Sequence, residues 1–94
     1  MRNKQWELIF TKDADKQFQK LNTPIQRQIK KYIIKVLSAS EPRDFGKPLA
    51  KNLKGYWRYR VGDYRLTCVF ENKKLLITVV ECTHRSKSYQ TTYH

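Results

Sequence analysis

The apolar and polar positions at the start of the chain predict a short strand followed by a helix. Trp6 to Phe10 (WELIF) is rich in strand formers, and its alternate side chains share a face. Thr11 then caps a helix with Asp13 in its first turn, near the positive end of the helix dipole. The apolar positions expected on the buried sides of these elements are Trp6, Leu8 and Phe10, then Ala14, Phe18 and Leu21.

A second helix is predicted to start at Thr23 and to run to about Leu37. Thr23 is the expected cap, Pro24 the first helical residue, and Gln26 the partner that completes a capping box. Because the link between the two helices is short, they should form an antiparallel hairpin. The apolar face of the second helix consists of Ile25, Ile29, Tyr32, Ile33 and Val36. Its basic residues lie mostly away from that face: Arg27, Lys30, Lys31 and Lys35.

The segment from Ser38 to Gly55 predicts a loop, because it holds two of the three prolines and two of the three glycines. Leu49 to Leu53 could form a helical turn within it. The basic side chains of this loop are Arg43, Lys47, Lys51 and Lys54. After the loop the pattern changes to a period of two, which predicts strands.

Gly62 and Asp63 predict a two-residue hairpin turn, and this turn sets Arg60 opposite Arg65. One face of the hairpin is apolar and should face the core: Trp57, Tyr59, Val61, Tyr64, Leu66, Cys68 and Phe70. The other, which we call the arginine face, carries Tyr56, Arg58, Arg60, Arg65 and Thr67. Like charges directly opposite each other destabilise a sheet, so the arginine face is predicted to hold an anionic group such as phosphate. The alternative is that the arginines extend into solvent with their stems on the sheet.

A third strand, Leu75 to Arg85, should follow a turn at Glu71 to Lys74. With Asn72-Lys73 as the turn, Arg65 pairs with Val80. Core-side positions are then Leu75, Ile77 and Val79, whereas Leu76, Thr78, Val80, Cys82 and His84 share the arginine face. Cys68 and Cys82 would lie on opposite faces, which argues against a disulfide. A slip of one residue would reverse every assignment on this strand.

Charge is the strongest global feature of the chain. Its 20 Lys and Arg residues outnumber 8 Asp and Glu, for a formal net charge of +12. Such a charge favours a polyanionic or acidic partner over a surface that is merely solubilising. The 94 residues are expected to form one domain, spanning 1–94, without a membrane span or signal peptide, and we expect the protein to be cytoplasmic. Two histidines and two cysteines make a metal site implausible, and no cofactor is expected.

These residue types suit chemistry that depends on positioning and cationic stabilisation. RNA carries its own nucleophile, the 2′-hydroxyl, which an enzyme need only align with the adjacent phosphate. Arginine binds two phosphate oxygens at once but is a poor base. His84 could exchange protons near neutral pH, and Tyr89 could act as an acid or base or stack on a nucleobase.

Two blocks follow the two helices and the basic loop: YWRYRVGDYRL (56–66) and HRSKSY (84–89). On these blocks the sequence resembles the RelE/ParE superfamily of toxins from toxin–antitoxin systems. The resemblance covers nearly the whole chain and is closest to RelE-type, ribosome-dependent mRNA interferases of bacteria and archaea. It implies an α+β fold with two N-terminal helices on a mainly antiparallel four-stranded sheet, in the order β-α-α-β-β-β. It also implies metal-independent cleavage of mRNA that leaves a 2′,3′-cyclic phosphate and inhibits translation.

The resemblance assigns roles to individual residues. Arg65 is expected to hold the scissile phosphate, Arg85 to bind phosphate or protonate the leaving group, and Tyr89 to stack on a base. Arg58 matches a basic strand residue of relatives, with Arg60 two positions on. Some relatives have strand lysines or a loop glutamate that this chain lacks, so His84 and Lys54 are the candidates for the general base. The expected RNA-binding set adds Lys47, Lys51, Lys54, Lys87, Tyr56 and Arg60.

The resemblance further implies a cognate antitoxin that wraps the toxin and can bind operator DNA. mRNA and the ribosome are the other expected partners. Two alternative functions stay open: a ParE-like inhibitor of DNA gyrase, and a nucleic-acid-binding module without toxicity.

Overall fold

The computed structural model describes residues 5–49 and 55–88, and the side chains of those residues as far as 86. Its elements are β1 (Glu7–Phe10), α1 (Lys12–Gln19), α2 (Thr23–Ser38), β2 (Lys47–Pro48), β3 (Tyr56–Val61), β4 (Tyr64–Glu71), β5 (Leu76–His84) and α3 (Arg85–Ser88). Short 3-10 helices occupy Pro42–Phe45 and Asn72–Lys74. The helical turn predicted at Leu49 to Leu53 lies largely outside the described residues.

The strands form one five-stranded sheet in the order β1-β5-β4-β3-β2. β1 runs parallel to β5, and the other neighbours are antiparallel. The predicted α+β class, with helices on a mainly antiparallel sheet, is therefore confirmed. The sheet has one strand more than predicted, because Lys47 and Pro48, within the predicted loop, pair with Arg58 and Trp57 at its edge.

Both long helices bury their apolar stripes against one face of the sheet. The helix residues in this core are Ala14, Phe18, Ile29 and Val36, and the strand residues are Tyr59, Val61, Leu66, Cys68, Ile77, Val79 and Cys82. Burying each large apolar side chain contributes roughly 1.5–3 kcal/mol, so this face supplies most of the driving force for folding. The predicted core positions of β1, the two helices and the hairpin are confirmed.

The helix caps agree with the sequence only in part. Thr11 caps α1 as predicted, since its hydroxyl accepts a hydrogen bond from the Ala14 amide at 3.1 Å. The predicted cap of α2 is wrong: Asn22, not Thr23, accepts from the Ile25 amide at 3.1 Å. Gln26 does not close a capping box. Its side-chain amide instead donates to the carbonyls of Phe18 and Leu21 and ties the two helices together.

The β3–β4 register is the predicted one, with Arg60 opposite Arg65 and Trp57 opposite Cys68. The predicted β4–β5 register is wrong from its start: Phe70 pairs with Ile77 and not with Leu75, because the connection forms a 3-10 helix at Asn72–Lys74 in place of a two-residue turn. A shift of two residues keeps the faces, so Ile77 and Val79 enter the core as predicted. A β-bulge then leaves Val80 as an extra residue, because Thr67 pairs with Glu81 while Cys68 pairs with Val79. The shift of two residues at the turn and the one extra residue of the bulge together pair Arg65 with Thr83 and not with Val80.

The bulge reverses the faces of the second half of β5. Cys82 pairs with Leu66 and His84 with Tyr64, so both lie on the core side, contrary to prediction. Glu81 and Thr83 take their places on the arginine face. The two cysteines share a face and are free and buried. Burial raises the pKa of the Cys82 thiol to about 11 and also raises that of Cys68.

None of the helices in the described ranges combines the length and apolar character that crossing a bilayer requires. Within 5–49 and 55–88, no three His, Cys, Asp or Glu side chains are grouped so that they could hold a metal ion.

The corrected cap leads to a test of stability. Asn22→Ala should lower the free energy of unfolding by about 1 kcal/mol, because the Ile25 amide loses its acceptor. Thr23→Ala is the matched control and should change it by less than about 0.5 kcal/mol. Urea unfolding followed by tryptophan fluorescence measures both. Equal effects, or a larger loss for Thr23→Ala, would contradict the assignment.

Candidate anion-binding site

A cleft of about 310 Å³ lies on the arginine face, where the chain after α2 meets β3 and β4. We call it the arginine cleft. Its lining residues are Phe45, Gly46, Lys47, Pro48, Leu49, Arg58, Arg60 and Arg65. The three hairpin arginines predicted to converge therefore line one cleft, together with Lys47 from the predicted RNA-binding set.

Two like-charged pairs lie across neighbouring strands at this cleft. Arg60 is opposite Arg65 between β3 and β4, and Lys47 is opposite Arg58 between β2 and β3. Such a pair destabilises a sheet by up to about 1 kcal/mol where no carboxylate or bound anion offsets the repulsion. A group with several negative oxygens, such as a phosphodiester, would relieve both repulsions at once.

Arg65 is the most enclosed of the three arginines. Its side chain is only 8% exposed, although it lies on the face opposite the two helices, whereas Arg60 is exposed. The burial follows from its place on the central strand β4, between β3 and β5, with the segment after α2 forming the opposite side of the cleft. Charges act on a ligand more strongly in such a partly desolvated position than at an open surface.

The wall of the cleft is held by two tyrosine hydroxyls. Tyr59 donates to the Pro42 carbonyl at 2.7 Å, and Tyr32 donates to the Phe45 carbonyl at 3.0 Å. Burial raises the pKa of both phenols, so both stay protonated donors at neutral pH. Gly46, the residue after Phe45, packs against β3 and can do so only because it lacks a side chain. A Cβ there would lie 2.5 Å from Trp57 Nε1 and 2.6 Å from the Arg58 carbonyl oxygen.

The end of β5 adds two polar residues that the sequence analysis did not assign to this face. Thr83 lies beside Arg65, and Glu81 lies beside Thr67 and diagonally opposite Arg65. The Thr83 hydroxyl is buried and has no hydrogen-bond partner among the described residues, and the same holds for Arg58 Nε. The sequence contains one indication of this change of face in β5. Strict alternation after Ile77 and Val79 would have put the Glu81 carboxylate into the core.

Arg85 lies at the same end of the sheet as Arg60 and Arg65. Its backbone amide donates to the Asp63 carbonyl at 2.7 Å, which fixes the start of α3 beside the hairpin turn. The side chain is exposed. Tyr56 is on the arginine face opposite Val69 but outside the cleft lining. The remaining predicted site residues, Lys51, Lys54 and Tyr89, lie outside the described residues, as does the side chain of Lys87.

His84 is not brought to the arginine cleft. Its ring packs edge-on against Tyr64 on the core side of the sheet, with centroids 5.2 Å apart. The Ser86 amide donates to His84 Nδ1 at 3.2 Å, so the neutral ring carries its proton on Nε2. In this form Nε2 is a donor and Nδ1 is engaged by Ser86, which does not suit a general base.

The geometry thus describes a cationic cleft that suits phosphate binding. A sequence model for the family described as "ParE toxin of type II toxin-antitoxin system, parDE" matches residues 8–89. No curated protein sequence matches the chain significantly.

Solved structures with the same fold come from several organisms. The RelBE2 toxin–antitoxin complex of Mycobacterium tuberculosis contains a chain with 25% identity and a TM-score of 0.67, over 87% of this chain and 93% of that one. The isolated RelE toxin of E. coli has 22% identity and a TM-score of 0.70, over 90% and 92%. The YoeB/ParE toxin of Agrobacterium tumefaciens has 17% identity and a TM-score of 0.66, over 83% and 96%.

The close approach at Gly46 leads to a second test of stability. Gly46→Ala should lower the free energy of unfolding by about 1–3 kcal/mol, because the added methyl group overlaps Trp57 and the Arg58 carbonyl. Ser40→Ala, at an exposed position of the same connecting segment, should have little effect. Urea unfolding measures both. A Gly46→Ala protein as stable as the parent would show that the wall is not packed as described.

Proposed function

The chain belongs to the ParE toxin family of type II toxin–antitoxin systems, within the RelE/ParE superfamily, and we propose that it is an endoribonuclease that cleaves mRNA on the ribosome. The observation that carries the proposal is the convergence of Arg58, Arg60 and Arg65 on one cleft. A cleft of this charge suits a reaction whose main demand is stabilisation of a phosphorane-like dianion.

In the proposed reaction the 2′-oxygen of the substrate ribose attacks the adjacent phosphorus. The bond from phosphorus to the 5′-oxygen of the next nucleotide breaks, which leaves a 2′,3′-cyclic phosphate and a free 5′-hydroxyl. One proton leaves the 2′-hydroxyl and one reaches the departing 5′-oxygen. No metal ion is needed, because arginine forks can neutralise the non-bridging oxygens.

Arg65 holds the scissile phosphate in this proposal, because it is the most enclosed cation of the cleft. Arg58 and Arg60 share the developing charge from β3. Arg85, next to the hairpin turn, is a second phosphate ligand or the acid for the leaving group. Tyr89 stacks on the substrate base. Flanking RNA contacts Tyr56, Lys47, Lys51, Lys54 and Lys87. We give His84 no proton-transfer role, because it lies on the other side of the sheet.

A cognate antitoxin is the proposed protein partner, and operator DNA is contacted only through it. Support comes from the similarity to a chain of the RelBE2 toxin–antitoxin complex and from the net charge of +12, which suits an acidic binding segment. The proposed location is the cytoplasm, where the ribosomes and mRNA are.

A second candidate is inhibition of DNA gyrase without nuclease chemistry. It is supported by the family model, whose description names ParE. In that case the arginine cleft would serve binding alone.

Substitution of Arg65 separates these functions. Arg65→Ala and Arg65→Lys should each lower mRNA cleavage on the ribosome by about 10²–10³-fold, because neither side chain can bind two phosphate oxygens as arginine does. Arg27→Ala, at an exposed position of α2, is the matched control and should cleave like the parent. Primer extension on ribosome-bound message measures cleavage, and circular dichroism checks folding.

Undiminished cleavage by both folded Arg65 variants would rule out the nuclease assignment of the cleft. If the unmodified protein instead arrests growth with DNA breaks and intact mRNA, gyrase is the target.

The position of His84 gives a separate expectation. His84→Asn should keep cleavage within a few-fold of the parent, because the asparagine amide oxygen takes the place of Nδ1 and can still accept from the Ser86 amide. Loss of a general acid or base would instead cost about 10²–10⁴-fold. The same primer-extension assay, run between pH 6 and 9, distinguishes the two. A loss of that larger size, with a changed pH profile, would restore His84 to the reaction.

A further inference from the structure

A second basic surface adjoins the arginine cleft. It is a groove of about 510 Å³ between α2 and the end of β3, lined by Gln28, Lys31, Tyr32, Lys35, Arg60, Val61 and Gly62. We call it the basic groove. Three of these residues are cations, and none of the described lining residues is acidic.

The groove and the cleft are joined through shared residues. Arg60 lines both. Phe45 lines the cleft, and its ring lies 5.2 Å from Lys35 Nζ in the groove. On the edge of β3 away from β4, the strand β2 pairs only with Trp57 and Arg58. Residues 59–61 of that edge have no strand beside them in the described part of the chain, and they border the groove. A cationic path therefore runs from Arg65, past Arg60, around the end of β3 and onto α2.

The lysines of the groove are placed to contact successive anionic groups. Lys31 and Lys35 are one helical turn apart, so their Cβ atoms are roughly 5–6 Å apart on the same side of α2. Both are exposed. Lys35 is also ordered by aromatic rings, since its ammonium lies 5.8 Å from the Tyr32 ring centroid in addition to the Phe45 contact. An ammonium held in this way loses less freedom when a ligand binds.

We propose that the basic groove binds backbone phosphates of the same RNA strand whose scissile phosphate occupies the arginine cleft. The inference rests on the proposed function, because it takes RNA as the ligand of the cleft. Lys31 and Lys35 each contact one flanking phosphate, and Arg60 bridges the two sites.

The groove suits a nucleic-acid backbone better than a protein segment. A protein partner draws most of its affinity from apolar or aromatic anchors in desolvated pockets. Here the exposed side chains include the cations Lys31, Lys35 and Arg60. Val61 is only 4% exposed, and the Tyr32 hydroxyl is already engaged with the Phe45 carbonyl. Phosphates at regular spacing, in contrast, need only a row of cations.

The test uses the double variant Lys31→Gln/Lys35→Gln. The matched control is Lys12→Gln/Lys16→Gln, which removes two exposed lysines at the same spacing on α1. The probe is fluorescein-labelled single-stranded RNA of about 10 nucleotides with 2′-O-methyl riboses, which lack the attacking hydroxyl. Fluorescence anisotropy over a series of KCl concentrations gives the salt dependence of affinity.

The groove variant should bind this RNA more weakly than the parent. The slope of log affinity against log salt should become shallower by about 1.4, which is about 0.7 for each of two lost phosphate contacts. The control variant should keep the parent slope. A 2′-O-methyl dinucleotide, which is long enough only for the cleft, should bind the parent and the groove variant equally.

A groove variant with the slope of the control would overturn the inference. So would a variant that keeps its RNA affinity but loses binding to a polyglutamate peptide, because the groove would then serve an acidic protein. The proposed nuclease function is tested by a different measurement, and undiminished mRNA cleavage by Arg65→Ala and Arg65→Lys would contradict it. A failure of the inference can therefore be told apart from a failure of the proposed function.

Discussion

The position of the cations depends on one constraint, the register of the hairpin between β3 and β4. The turn at Gly62-Asp63 sets Arg60 opposite Arg65, and the same register puts Tyr59 and Leu66 into the core. A slip of one residue would turn the core side chains of the shifted strand, Tyr59 or Leu66 among them, to the other face, at a cost of roughly 1.5–3 kcal/mol for each large side chain exposed. The repulsion between the arginines is worth up to about 1 kcal/mol. Apolar burial therefore decides the register, and the charges are held together at the surface.

The two faces of the sheet consequently serve different purposes. The helices cover one face, where they supply the apolar contacts that stabilise the chain. The other face presents the arginines to a cleft whose wall is fixed from the core side, because the Tyr59 hydroxyl reaches the Pro42 carbonyl from a strand that also carries Arg58 and Arg60. Packing and anion binding are thus coupled through β3. Family membership and the shared fold agree with this division, and the chemistry proposed for the cleft depends on the arginines themselves.

The sequence was sufficient to predict the fold and the cleft residues where the local pattern and the burial of side chains agree. The hairpin register, the helix stripes and the convergence of Arg58, Arg60 and Arg65 all follow from alternation about a recognisable turn. The sequence was insufficient where one extra residue changes which side chains of a strand face the core. The bulge at Val80 leaves no composition signal of its own, and only the Glu81 carboxylate, which alternation would bury, points to it. The adjacent Asn22 and Thr23 are both good caps, and local propensity does not choose between them.

Loop contacts were the other feature that pattern alone did not predict. Lys47 and Pro48 form an edge strand within a segment rich in proline and glycine, and the pairing depends on the tertiary approach of Gly46 to Trp57. The grouping of Lys31 and Lys35 with Arg60 likewise requires the packing of α2 beside the end of β3.

The two thiols have a consequence for how the molecule responds to its surroundings. Cys68 and Cys82 are the only cysteines in the chain, both are buried, and burial raises the pKa of each thiol. Oxidants and alkylating agents react with the thiolate, which is scarce under these conditions. Both thiols should therefore react slowly with oxidants and alkylating agents for as long as the chain stays folded.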